Sequence, residues 1–185
     1  MSSTNAPFGL RPVYHPSGTI RPVAYSIAAS YTGTAIYMGS PVKIHTDGTL
    51  RIAAAGESII GAFQGCEYTD SSGRRRVMPY WTGESGATDI IGYATFDPAT
   101  VYEIQADGPI DTTEIGQQAD FTSIGTGSTI TGQSSATIAN ATATAQATLS
   151  VIGIPAYPDN VSGDAYTVVQ VLINEHQFRT PQAGF

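Results

Sequence analysis

From Val42 to Ile52 the chain reads VKIHTDGTLRI, and apolar and polar residues alternate on both sides of Asp47-Gly48. Val42 and Ile44 bracket Lys43, and Leu50 and Ile52 bracket Arg51. A period of two marks a half-buried strand, and an Asp-Gly pair between two such runs marks a hairpin. A two-residue turn would set Ile44 opposite Arg51 and mix the faces, because a one-residue slip turns every side chain over. A three-residue turn, Thr46-Asp47-Gly48, sets Ile44 opposite Leu50 and Val42 opposite Ile52. Gly48 then takes the left-handed position, where a Cβ is penalised. This register gives one continuous apolar face. It also sets Lys43 opposite Arg51, a like-charge pair that destabilises if left alone. The two side chains either splay into solvent or lie under an acidic surface, on this chain or on a partner.

The same pattern recurs along the chain. Tyr25 and Ile27 alternate with smaller residues, and Ile59 to Phe63 reads as a short buried strand that Cys66, Tyr68 and Thr69 continue. Asp70-Ser71-Ser72-Gly73 is a turn, and Arg74-Arg75-Arg76 opens a return strand through Val77 and Met78. Residues 83–89 form a polar loop. Ile90 to Ala94 and Val101 to Gln105 read as two strands separated by an Asp97-Pro98 turn. At most one helical turn is expected, between Gly116 and Phe121. Ser150 to Ile154 and Tyr166 to Ile173 close the body. In the last strand Val169, Val171 and Ile173 share a face while Leu172 is apolar on the other, which predicts burial on both sides. Residues 122–148 are biased toward Ser, Thr, Ala and Gly and read as a long irregular loop with short edge strands, or as a region ordered by packing. No amphipathic helix of useful length stands out. Many short strands with frequent turns predict a single all-β domain, a barrel or sandwich, over residues 23–185.

Residues 1–22 differ. Pro7, Pro12, Pro16 and Pro22 exclude a helix and press each preceding residue into extended geometry. Phe8, Leu10, Val13, Tyr14 and Ile20 are more apolar than a free tail needs, and Arg11 and Arg21 are interspersed. Such an extended N-terminal arm suits lying across a surface, either its own domain or a neighbouring subunit. Its candidate contact residues are Pro7, Phe8, Leu10, Arg11, Pro12, Val13, Tyr14 and Arg21.

Composition narrows the function. Of 185 residues, 41% are hydrophobic and 12% charged, against a usual charged share of about 25%. That balance suits a surface covered by partners. The net charge is −7 and Lys43 is the only lysine, which argues against a nucleic-acid partner held by a broad basic patch. A single cysteine, Cys66, excludes an intrachain disulfide and reads as a buried small residue. No run approaches the ~18 apolar residues of a membrane span, and no signal peptide is evident, so a cytoplasmic site of synthesis and no membrane partner are expected. The Asn-x-Ser/Thr triplets at Asn140 and Asn160 are then chance matches. The body's candidate docking cations are Lys43, Arg51, Arg74, Arg75 and Arg76.

Catalytic chemistry is weakly signalled. His15, His45 and His176 show no metal-ligand spacing, and Asn174-Glu175-His176 reads as a surface polar cluster. Gly83-Glu84-Ser85-Gly86 lacks the context of a nucleophile elbow. Gly125-Thr126-Gly127 lacks the third glycine of a dinucleotide loop. Asp107, Asp111 and Glu114 lack the spacing of a calcium loop. We expect no enzyme, catalytic residue, cofactor or metal. Tyr80 and Trp81 are the residues a sugar platform would use, although such pairs more often fill a core.

The opening Asn5-Ala6-Pro7-Phe8-Gly9-Leu10-Arg11-Pro12-Val13 resembles the start of head decoration, or cement, proteins of tailed bacteriophages. So do Tyr37-Met38-Gly39-Ser40-Pro41-Val42, Asp47-Gly48, Ile60-Gly61-Ala62-Phe63-Gln64-Gly65 and Ile173-Asn174-Glu175-His176-Gln177, in that order. The resemblance implies a non-enzymatic virion protein, usually a homotrimer or other small oligomer. It implies binding to the outer face of an icosahedral capsid, where the protein bridges neighbouring major capsid proteins. No site residues transfer with it, and residues 122–148 have no counterpart. A tail, fibre or minor capsid component is the alternative.

Overall fold

The structure is a computed structural model that describes residues 4–140 and 146–179. The first three residues of the leading segment and residues 141–145 of the Ser/Thr-rich region lie outside the described residues. The fold is all-β, with two antiparallel sheets stacked as an open sandwich rather than a closed barrel.

The first sheet orders β1 (Arg11–Tyr14), β8 (Val101–Gln105), β13 (Val168–Ile173), β12 (Leu149–Gly153) and β9 (Gln118–Ala119). The second orders β2 (Pro22–Ser26), β7 (Thr88–Thr95), β5 (Gly61–Thr69), β3 (Pro41–Ile44) and β4 (Leu50–Ile52), with β6 (Arg75–Met78) also beside β5. A small pair, β10 (Phe121–Ser123) with β11 (Thr137–Ile138), lies within the Ser/Thr-rich region. The described residues of that region are irregular with short strands, one of the two readings its composition leaves open.

Two apolar clusters follow from strand alternation. Tyr102 and Ile104 of β8 join Val169, Val171 and Ile173 of β13, with Leu10, Ile59, Ala62, Phe121 and Ile138. Phe63, Cys66 and Tyr68 of β5 turn the other way, onto Ile36, Val42, Leu50, Trp81 and Ile90. Consecutive residues Ala62 and Phe63 thus serve different clusters, which is why the start of β5 is buried on both sides. Thr95 ties the layers, since its hydroxyl lies 2.8 Å from the buried Tyr102 hydroxyl and accepts from Ala62 N at 2.8 Å.

The Val42–Ile52 hairpin has the predicted register: Val42 faces Ile52, Lys43 faces Arg51 and Ile44 faces Leu50. Gly48 sits at φ +77° in the three-residue turn. The Asp70–Gly73 turn and its return strand also form as expected.

Three expectations change. The helical turn lies at Thr112–Glu114, ahead of the predicted stretch, because Asp111 and Glu114 complete a capping box there. Gly116 and Gln117 instead bond to β12. The second face of β13 is only half-buried at Gln170 and Leu172. The boundary between arm and body at residue 22 falls inside a strand, since Pro22 begins β2. β1 pairs with β8, so the leading segment adds a strand to its own domain.

Candidate functional site

The leading segment is fixed by polar groups on the outer face of the first sheet. Glu103 and Gln105 point away from the core that Tyr102 and Ile104 fill, yet both are buried. Gln105 reads the backbone of the extended segment: its Oε1 accepts from Ala6 N at 2.9 Å, and its Nε2 donates to Thr4 O at 3.0 Å. Glu103 accepts from Arg11 Nη2 at 2.5 Å and from the Tyr157 hydroxyl at 2.6 Å. The Phe8 ring lies under the Arg11 guanidinium, 4.6 Å from its centre. Leu10 is fully enclosed in the first cluster, so its contribution is to the core of its own domain.

Two glycines permit the crossing. Leu10 N donates to Gly39 O at 2.8 Å, and Gly39 N donates to Phe63 O at 2.7 Å. A Cβ on Gly9, at φ +75°, would sit 2.6 Å from Gly39 O, an overlap on top of left-handed strain.

Burial raises the Glu103 carboxyl, but bonds from Tyr157, Arg11 and Gln170 outweigh it and hold the group below the ordinary 4.5. The unfolded chain therefore takes up this proton first as pH falls. The stabilisation is complete above about 4.5 and is lost as pH falls through the folded value. Arg11→Leu leaves a buried carboxylate without its cation. Losing one partner of a fully buried pair costs about 3–5 kcal/mol, and Arg11 is half exposed, so about 1–3 kcal/mol is expected at pH 7. Urea titrations across pH should show this deficit shrinking below about pH 4.5, as Glu103 is protonated in both chains. A deficit independent of pH would contradict the assignment.

Beyond this anchor the segment presents apolar side chains outward. Val13 and Tyr14 are exposed, at 37% and 58%. Pro7, Phe8 and Pro12 are half-buried and Arg21 is exposed. An open groove of about 460 Å³ is lined by Ile20, Arg21, Val23 and Phe96 with His15 and Asp97. Phe96 meets the exposed Phe178 ring at 5.5 Å. His15 Nε2 lies 3.0 Å from Asp97 Oδ2. The Ala99 N–H, and then His15, hold Asp97 below the usual carboxylate range.

Most of the body's cations meet acidic groups on this chain. Lys43 Nζ lies 2.5 Å from Glu57 Oε1, and Arg51 Nη2 lies 2.6 Å from Asp47 Oδ2. The opposed pair in the hairpin is thus covered by its own carboxylates. Arg75 reaches Glu67 at 3.2 Å and Arg76 reaches Asp70 at 2.9 Å. Arg74 is exposed, and its side chain has no partner among the described residues.

The candidates for chemistry are placed as follows. His176 is buried, not on the surface: Nε2 lies 3.0 Å from Ile60 O and 2.8 Å from Phe96 O, while Nδ1 accepts from Phe178 N. This arrangement suits a neutral ring with its proton on Nε2. Burial pushes its pKa down. Asp111 and Glu114 bind each other's backbone in the capping box, while Asp107 accepts from Asn140 N. Cys66 is buried, and its thiol is pushed up to about 12. Trp81 is fully enclosed in a T-shaped contact with Tyr68, and Tyr80 stacks on Tyr37, so the pair forms no flat platform. The Asn160 amide is buried and bonded to Pro155 O and Val168 O, which leaves no nitrogen for a glycan.

Glu103 and Gln105 carry no signal in the sequence, and His176, expected on the surface, is buried. The first two occupy the polar face of an alternating strand, which ordinarily signals solvent. Scans against protein-family models, curated proteins and solved structures found no match. Among the described residues no helix is long and apolar enough to cross a membrane.

Proposed function

We propose that this protein is a non-enzymatic virion component that binds the outer face of a tailed-phage capsid. It bridges neighbouring major capsid proteins and assembles with its own copies, as a homotrimer in the reading the sequence resemblance favours. The observation that carries the reading is the apolar band of Ile20, Val23 and Phe96 around one groove, with Phe178 on Phe96, together with the exposed Val13 and Tyr14 of β1. It borders a segment bolted to the body by Leu10, Arg11 and Gln105. Contiguous exposed apolar surface marks an interaction site, and its rigid mounting lowers the ordering cost of binding. Low surface charge agrees with a covered surface.

Cosedimentation with undecorated heads of the virus that encodes the chain tests this. The parent should pellet with the shells. Tyr14→Ser combined with Val23→Ser removes two exposed apolar side chains and should weaken binding at least about tenfold. A parent that stays in the supernatant contradicts the capsid reading, and a double variant that binds undiminished contradicts the band's role. Binding confined to a tail or a single vertex would instead favour the tail or minor-capsid alternative.

A further inference from the structure

The Ser/Thr-rich region holds the most exposed large apolar side chain among the described residues. Ile130 is 95% exposed, at the tip of the turn from Ser128 to Gly132. The turn is tied at every level. Gly132 N donates to Ser128 O at 2.7 Å, and the Ser128 hydroxyl accepts from Ile130 N and Thr131 N. The Tyr80 hydroxyl donates to Thr129 O, and Tyr80 is itself stacked on Tyr37. A Cβ on Gly132 would touch the Tyr80 ring at 2.8 Å, so the turn is packed onto the body as well as hydrogen-bonded. An aliphatic side chain held this rigidly in water gains nothing for its own fold.

Beside it lies a small recess of about 90 Å³, on the scale of one aliphatic side chain. It is lined by the apolar Phe8, Leu10, Pro12 and Met38 and by the polar Arg11 and Gln64. The recess adjoins the turn, since Met38 N donates to Gly132 O and Gln133 closes one wall. Its own chain cannot fill it with Ile130, whose turn points into solvent. The neighbouring sheet edges disfavour strand addition, because β1 carries Pro12 and β2 begins with Pro22, each removing a backbone donor. Contact between copies here therefore rests on side chains.

We propose that Ile130 of one copy inserts into the Phe8–Met38 recess of a second copy. Knob and recess lie side by side, so each copy can give its knob to the next and take one from the last, a head-to-tail contact that closes about the three-fold axis of the homotrimer reading. The proposal rests on the reading that the protein assembles with its own copies. It gives residues 128–133 a role.

Sedimentation of the free chain over a concentration series tests it, apart from any shell. The parent should self-associate, while Ile130→Asp and Met38→Glu should each raise the dissociation constant at least about tenfold. Both positions are exposed, so circular dichroism should be unchanged. An equimolar mixture of the two variants keeps one intact knob and one intact recess, and should recover association between unlike chains. A parent that is monomeric throughout, variants that associate like the parent, or a mixture with no recovery each overturns the proposal. Shell binding is read separately: an Ile130→Asp chain that stays monomeric yet still decorates heads upholds the contact while limiting its role on the capsid. A parent that self-associates as expected but never binds heads upholds the contact and defeats the capsid reading.

Discussion

Deleting residues 1–14 is expected to destabilise the whole protein by about 5 kcal/mol or more, not to release a dispensable tail. Leu10 leaves a hole in the first core, and truncating a buried leucine costs about 2–5 kcal/mol. Glu103 loses Arg11 and keeps Tyr157 and Gln170, while Gln105 loses both backbone partners. β8 becomes a bare edge. The sum rivals the total stability of an ordinary domain, about 5–15 kcal/mol. Urea unfolding of the truncated chain should show a sharply lowered midpoint or no folded baseline. An unchanged midpoint would mean the segment is a free arm. The consequence for function is practical: loss of shell binding after this deletion says nothing about contact residues, and point substitutions at Tyr14 and Val23 are the informative ones.

Trp81→Ala should cost about 3–5 kcal/mol and lower the melting temperature by roughly 10 °C. Trp81 is fully enclosed, its ring meets Tyr68 edge-on at 5.0 Å, and Nε1 donates to Tyr31 O at 3.2 Å. Its backbone also exchanges two bonds of 2.9 Å with Ile36. Removing the ring opens a cavity and strands the Tyr31 carbonyl. A tryptophan on a sugar-binding platform would behave differently, because a substitution on open surface ordinarily stays within about 0.5 kcal/mol. Calorimetry of the variant separates the two roles in one scan.

These two cases show what could be read from the letters. The hairpin register was legible because alternation and the Asp-Gly turn fix it locally, within eleven residues. The turn at Asp70 was legible for the same reason. The destination of the leading segment was not, because prolines dictate extended geometry and say nothing about which surface receives it. The deciding contacts join Arg11 to Glu103 and Ala6 to Gln105, some hundred residues apart. Glu103 in VYEIQ looks like a solvated position, and the strap that buries it comes from the other end of the chain. His176 was misplaced likewise, since the carbonyls that satisfy it belong to Ile60 and Phe96. Strand alternation alone does not decide whether Lys43 and Arg51 splay or are covered. Glu57 and Asp47, both near in sequence, cover them.

The measurement that bears most directly on the capsid reading is an image reconstruction of the intact virus particle at residue resolution. The capsid reading predicts hundreds of copies on the outer face of the head, each with the band of Ile20, Val23 and Phe96 against a major capsid protein. Particles whose outer shell carries no density for this fold, or that place a few copies in the tail alone, would contradict it.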